Sequence, residues 1–260
     1  MSLSETVTLS GHVYREGIIE DTAIEVSCEY HFDLKINGNP YMTIACSGRD
    51  LEFLALGHLM SLGIVQGEGD VHSVEVNREL GEIDVRTSDQ EEVLTRLFTL
   101  KTIASGCGNV SGGSVISSRN RSSLSIDPHL IPPIMKEFLG LSEIHGKTHG
   151  VHSAALYTFS GERIAFFDEI GRHNAVDKLM GFALSQGINP GTTILVSTGR
   201  ISSEIAQKAL AGTIPVVMSR AAPTDRAIAM AREGNLLLLT GVRRRNYYIA
   251  SGLHHLAFKE

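Results

Sequence analysis

Residues 192–240 read TTILVSTGRISSEIAQKALAGTIPVVMSRAAPTDRAIAMAREGNLLLLT, and this stretch decides the fold. Short apolar runs at 192–196, 214–218 and 235–240 have strand length. The segments between them, about 202–211 and 224–232, carry apolar residues at helical spacing. Strand, helix, strand, helix, strand at these intervals predicts a largely parallel sheet with helices on its faces. Working back toward the N-terminus, residues 173–185 form an amphipathic pattern through Val176, Leu179, Met180 and Ala183. Strands are expected at 152–159 and 162–168, around a turn at Ser160-Gly161, and a helix over 131–144.

The first hundred residues read as a smaller, strand-rich α+β unit. Asn37-Gly38 is a hairpin signal between strands ending near 36 and starting near 41. A helix is expected over 49–62 with Gly63 as its stop, strands at 71–77 and 82–86, and a short helix over 90–101. Between the two units, Ser and Gly fill 12 of the 21 positions from 105 to 125, a flexible-loop composition. The expected division is therefore 1–104, a cysteine loop at 105–127, and an α/β unit at 128–260.

Composition narrows the function classes. The chain has 260 residues, 42% hydrophobic and 20% charged, with 23 Lys+Arg against 29 Asp+Glu. The net charge of −6 argues against a broad nucleic-acid-binding surface. The longest obvious apolar run, Leu236 to Leu239, is far short of the roughly 20 residues of a membrane helix. No signal peptide is visible, and three cysteines make no disulfide framework, so the expected compartment is the cytoplasm.

Ligands of open α/β sheets bind beyond the carboxyl ends of the strands. Four expected loops lie there: Asp168 to Asn174, Ser197 to Arg200, Ser219 to Thr224, and Gly241 to Asn246. Each holds at least one arginine. Three run into helix starts, where free N–H groups favour anions. Guanidinium forks hold phosphate bidentately, so the pattern points to a phosphate-rich ligand, against arginines that merely face solvent. Cys107, between Gly106 and Gly108, is a candidate exposed nucleophile, against an incidental thiol. Cys28 and Cys46 read as buried and inert. His145, His149, His152 and His173 could gather, but their spacing matches no strong zinc pattern, and Gly146 and Gly150 argue against a helix shared by His145 and His149. No metal site is expected. A zinc deaminase needs H-x-E and C-x-x-C; His152-Ser153-Ala154 lacks the glutamate and no C-x-x-C exists.

Val151-His152-Ser153-Ala154-Ala155-Leu156 and Asp168-Glu169-Ile170-Gly171-Arg172-His173-Asn174-Ala175-Val176-Asp177-Lys178 resemble the central signature of the formate dehydrogenase accessory sulfurtransferase family, FdhD/NarQ. Ser197-Thr198-Gly199-Arg200 with Ser203-Glu204, Ala221-Ala222-Pro223-Thr224, and Val242-Arg243 through Tyr248 add to the likeness. The resemblance implies a C-terminal three-layer, cytidine-deaminase-like α/β domain, with the mostly parallel sheet expected above, and a homodimer. It implies sulfur transfer: a cysteine desulfurase loads Cys107 as a persulfide. The sulfur then passes to the molybdenum or tungsten of a bis-pterin guanine dinucleotide cofactor destined for the formate dehydrogenase apoenzyme. The cofactor phosphates would fall to Gly241, Val242, Arg243, Arg244, Arg245 and Asn246, with Arg172, His173, Asn174, Ser197 and Arg200 lining the pocket; GDP-like ligands would mimic it. Many members carry C-G-x-C-G in the loop, whereas here Val110 replaces the second cysteine. A non-enzymatic cofactor chaperone and a plain nucleotide-binding module are the alternatives. Neither nucleic acid nor membrane insertion is expected.

Overall fold

The computed structural model describes residues 3–88, 125–243 and 246–258. The helix expected over 90–101, Cys107 with most of its loop, and Arg244 and Arg245 lie outside the described residues.

Strands β1 (Thr6–Arg15) and β2 (Ile18–Ser27) form a two-stranded ribbon of ten uninterrupted pairs. Its turn uses left-handed Glu16 and Gly17, at φ 48° and 92°. Alternation puts Val7, Leu9 and Val13 on one face, opposite Val26, Ile24 and Glu20. None of these residues belongs to a core cluster.

Next come β3 (Tyr30–Ile36), β4 (Asn39–Cys46), helix α1 (Leu51–Ser61), β5 (Val71–Asn77) and β6 (Glu82–Thr87). They build a four-stranded sheet in the order β4-β3-β6-β5, with β3 and β6 parallel. Asn37 and Gly38 make the expected turn, at φ 53° and 80°. The helix lies across this sheet, burying Leu51, Leu54 and Leu59 on Phe32, Leu34 and Ile83. Each such side chain contributes about 1.5–3 kcal/mol when fully removed from water.

The larger unit holds α2 (Ile131–Phe138), α3 (Glu143–Thr148), β7 (His152–Thr158), β8 (Arg163–Glu169), α4 (Arg172–Ser185), β9 (Thr193–Ser197), α5 (Ser203–Ala211), β10 (Val216–Ser219), α6 (Asp225–Glu233), β11 (Leu237–Arg243) and β12 (Asn246–Ser251). The six-stranded sheet runs β12-β11-β10-β9-β7-β8. Only the β9–β10 and β10–β11 pairs are parallel; the β7–β8, β7–β9 and β11–β12 pairs are antiparallel. The mostly parallel sheet is thus corrected to a mixed one. The Ser160-Gly161 turn is too short for a crossover, so β8 returns as a hairpin. The sheet is sandwiched. Ala154, Leu156, Leu195, Val217 and Leu238 face α4, α5 and α6. Ala155, Tyr157, Val196 and Met218 face α2.

The single helix expected over 131–144 is two. The Ser142 hydroxyl accepts from the His145 N–H and starts α3 anew. That helix runs through Gly146 and is capped by left-handed His149, at φ 52°. Against the sequence expectation, the His145 and His149 rings meet, with centroids 5.2 Å apart.

The two units join where α1 crosses α4. A Cβ on Gly57 would stand 1.7 Å from the Asp177 carbonyl oxygen, and one on Gly181 would stand 2.0 Å from that of Phe53. Only hydrogen at these positions lets the backbones approach so closely. The helix α1 is therefore covered on both faces.

Candidate functional site

The eleven-residue stretch 168–178 spans the end of β8 and the start of α4, and most of its polar groups are committed. Each Asp168 carboxylate oxygen accepts from a serine hydroxyl, Ser153 at 2.6 Å and Ser142 at 2.7 Å. Glu169 is fully buried and pairs with equally buried Lys178 at 3.0 Å. The Ser47 N–H and hydroxyl also donate to Glu169, at 2.7 and 2.6 Å, and Lys178 donates to the Ser47 hydroxyl at 3.0 Å. Asn174 donates to the Ala45 carbonyl at 2.8 Å. Asp177 accepts from Lys208 at 2.6 Å and from Ser61 at 2.9 Å. Burial raises the Asp177 pKa, but Lys208 and His58 outweigh it and hold the carboxyl below its ordinary value. These groups tie α4 to the smaller unit. Cys46 lies beside them, where burial pushes its thiol up to about 11, so it is a poor nucleophile.

Arg172 differs. Its Nε is buried and has no hydrogen-bond partner among the described residues, and its stem packs on Gly199, where a Cβ would stand 2.8 Å away. Gly199 belongs to the loop after β9. That loop is stitched to its neighbours: Thr198 N–H donates to the Ser153 carbonyl at 3.0 Å, Arg220 N–H to the Ser197 carbonyl at 3.3 Å, and Gly241 N–H to the Ala221 carbonyl at 3.2 Å. The ends of β8 to β11 and the start of β7 therefore share one edge, as the sheet register requires. Arg200, Arg220 and Arg243 stand exposed on it. Among the described residues none of these three, nor Arg172, has an ion pair.

The other expected residues fall as follows. Gly241 is left-handed at φ 59°, with the exposed Tyr248 ring against it. Val242 is buried and Asn246 pairs with Arg243 in the β11–β12 register. The Ser197 hydroxyl is buried and accepts from the Gly199 N–H at 3.0 Å. His173 lies 3.0 Å from Glu204 and 3.3 Å from the Ser202 hydroxyl. Burial and Arg172 lower its pKa, with Glu204 opposing. It faces a separate cavity of about 350 Å³ between α1, α4 and α5.

Sequence reasoning did not single out the cavity at the edge itself. It measures about 480 Å³ and is lined by His145, His149, His152, Thr198 and Arg220, with an apolar wall that includes Phe138 and Ile170. Burial, Arg172 and His145 all lower the pKa of His152, which keeps it neutral at neutral pH. The described residues contain no cluster of three His, Cys, Asp or Glu side chains placed to hold a metal ion. The signal for this cavity was the Ser142 cap, which folds His145 and His149 back toward His152.

Comparison with known proteins adds the following. The model of the FdhD/NarQ family matches residues 27–257. The sulfur carrier protein FdhD of Listeria innocua is 32% identical over 250 residues, 94% of this chain and 95% of its own. The sulfur carrier protein FdhD of Bacillus licheniformis is 29% identical over 260 residues, covering 97% and 98%. A crystal structure of a formate dehydrogenase accessory protein from Desulfotalea psychrophila superposes with a TM-score of 0.79 at 21% identity, covering 98% of this chain and 100% of that one. It shows the same mixed α/β fold.

Proposed function

The chain belongs to the FdhD/NarQ family, and from that premise we propose that it is a sulfur carrier serving formate dehydrogenase. The observation that carries this reading is the strand edge with four arginines and no carboxylate paired to them among the described residues. Its donor set fits a polyphosphate: three exposed guanidinium groups and the buried, unpartnered Arg172 Nε lack a counter-charge that a guanine dinucleotide supplies. The proposed cargo is the molybdenum or tungsten bis-pterin guanine dinucleotide, with Arg243, Arg244 and Arg245 as its main phosphate contacts. The three-layer order of the larger unit supports the deaminase-like description of its fold. The cytoplasm, where cysteine desulfurases work, is the proposed compartment, and a homodimer the proposed assembly.

In the proposed reaction the Cys107 thiolate attacks the terminal sulfur of a desulfurase persulfide. The donor cysteine leaves as thiolate, and Cys107 holds the persulfide. Release as sulfide needs a second thiolate, which forms a disulfide with the Cys107 sulfur as the terminal sulfur departs with the electron pair. Val110 occupies the position where many relatives have a cysteine, so that thiol comes from another molecule.

The test is intact mass after incubation with a cysteine desulfurase and cysteine. One sulfur is expected on the wild type and none on Cys107→Ser; an equal adduct on both ends the reading. The missing second cysteine favours one competitor, a cofactor chaperone that carries no sulfur. A Cys107→Ala chain that still restores formate dehydrogenase selects it.

A further inference from the structure

An unpaired strand edge recruits other strands, and proteins protect such edges with proline, lysine or a bulge. The edge strands of the two larger sheets follow that rule. β4, β5, β8 and β12 each pair with a register irregularity, and β4 also carries Pro40. The β1–β2 ribbon has none of these devices. Its ten pairs run without a shift, and residues 6–27 contain neither proline nor lysine. Among the described residues, β2 makes no backbone hydrogen bond outside the ribbon from Ile18 to Glu25. Its root is held, where the hydroxyls of Ser27 and Thr148 of α3 lie 2.9 Å apart.

The two faces of β2 differ. Ile18, Ile24 and Val26 lie on the face of Val7, Leu9 and Val13. Val7, Leu9, Ile18 and Ile24 are between 42% and 63% exposed. Asp21 and Glu25 occupy the opposite face, four residues apart. Glu20 interrupts the apolar face, where Arg15 lies 3.6 Å from it. Residues 6–27 hold one arginine against four carboxylates, a net charge of −3. Glu16 and Glu25 have no cationic partner among the described residues. All four carboxylates lie in the turn or on β2; β1 carries none.

We infer that the free edge of β2 takes a third strand from another protein, an extended segment that alternates basic and apolar residues. Its backbone pairs with the stretch from Ile18 to Glu25. Its basic side chains stand beside Asp21 and Glu25, and its apolar ones widen the face of Ile18 and Ile24. Two strands alone are marginal in water, and a third supplies the width that stabilises an apolar face. Charge argues against a second copy of the ribbon. Antiparallel pairing of β2 with itself would set Asp21 and Glu25 beside the same carboxylates, and like charges opposite one another destabilise a sheet.

The test uses synthetic peptides of about eight residues, the length of the open edge. One alternates lysine and valine, the other glutamate and valine, and each is N-methylated at every second amide so that a single edge can pair. Calorimetry is expected to show binding of the lysine peptide, with nuclear Overhauser contacts between its α-protons and those of β2. The glutamate peptide is expected to bind about tenfold more weakly or worse, and a lysine peptide methylated at every amide likewise. Asp21→Lys with Glu25→Lys is expected to reverse the preference between the two peptides, which a merely disturbed ribbon would not do. Arg243→Ala and Cys107→Ser are expected to bind the lysine peptide as the wild type does, so this outcome is independent of the sulfur-carrier reading. Absence of binding overturns the inference, as does equal binding of the fully methylated control or contacts that map to β1. Self-association through the ribbon that shuts the peptide out, read by analytical ultracentrifugation, overturns it in favour of a second copy.

Discussion

The seam between α1 and α4 and the edge of the six-stranded sheet meet in one short stretch of chain, residues 168–178, yet they treat charge in opposite ways. At the seam, Glu169, Asp177 and Lys178 are buried and each has a partner. At the edge, Arg172, Arg200, Arg220 and Arg243 have no ion pair among the described residues. Arg172 and the three seam residues belong to a signature that reads as a single motif. Buried polar groups are nearly always hydrogen-bonded, so the buried Arg172 Nε, without a partner among the described residues, is the edge atom that the proposed ligand would satisfy. The difference separates the residues that hold the molecule together from those proposed to meet a ligand.

The largest expected effect is at the seam. Lys178→Met strands the Glu169 carboxylate in a dry interior and should cost about 3–5 kcal/mol in urea unfolding. Adding Glu169→Gln should recover part of that loss, because the charge that needs a partner is gone. If Lys178→Met unfolds no earlier than the wild type, the seam and edge do not differ as described. Gly57→Ala comes next, since its methyl group would stand 1.7 Å from the Asp177 carbonyl oxygen. The helices must part, at about 1–3 kcal/mol or somewhat more, read as a lower thermal midpoint.

Asp177 sharpens the contrast through pH. Its carboxyl is held below the ordinary 3.8, so its charged form contributes stability above that value. The contribution is lost as pH falls through the lower folded value. Asp177→Asn should therefore flatten the acid limb of the stability curve below about pH 4; an unchanged limb would place the acid sensitivity elsewhere. The smallest effect on stability belongs to the edge. Arg243→Ala should shift unfolding by no more than about 0.5 kcal/mol, while GDP affinity measured by calorimetry falls. Unchanged GDP affinity would remove Arg243 from the phosphate contacts.

Much of this architecture is legible in the sequence. The three buried runs of 192–240 and their helices appear within a few residues of the expected positions, because a strand buried on both faces has few alternatives. The strand-end rule also brought the arginine loops to one edge. Three things were not legible. The Ser160-Gly161 turn announced the β7–β8 hairpin, but the direction of β7 against β9 was hidden, since apolar runs look alike whichever way a strand points, and β12 was not expected as a strand. The α1–α4 crossing depends on Gly57 and Gly181, whose role is visible only when the opposing backbone is in place. The histidine cavity was hidden by treating Gly146 as a helix stop, when the Ser142 cap was enough to carry α3 past it. The signature itself was recognisable, but its division into seam and edge required the hydrogen bonds.

The β1–β2 ribbon gives the molecule an internal clock for amide exchange. Among the described residues its ten pairs have no third strand and no core cluster behind them, and a lone hairpin opens readily in water. Deuterium should enter Leu9 and Ile24 through opening of that ribbon alone, long before it reaches Leu195 or Val217, which wait for the whole sandwich to come apart. Any partner that settles on the ribbon would announce itself by slowing the fast set and leaving the slow one unchanged.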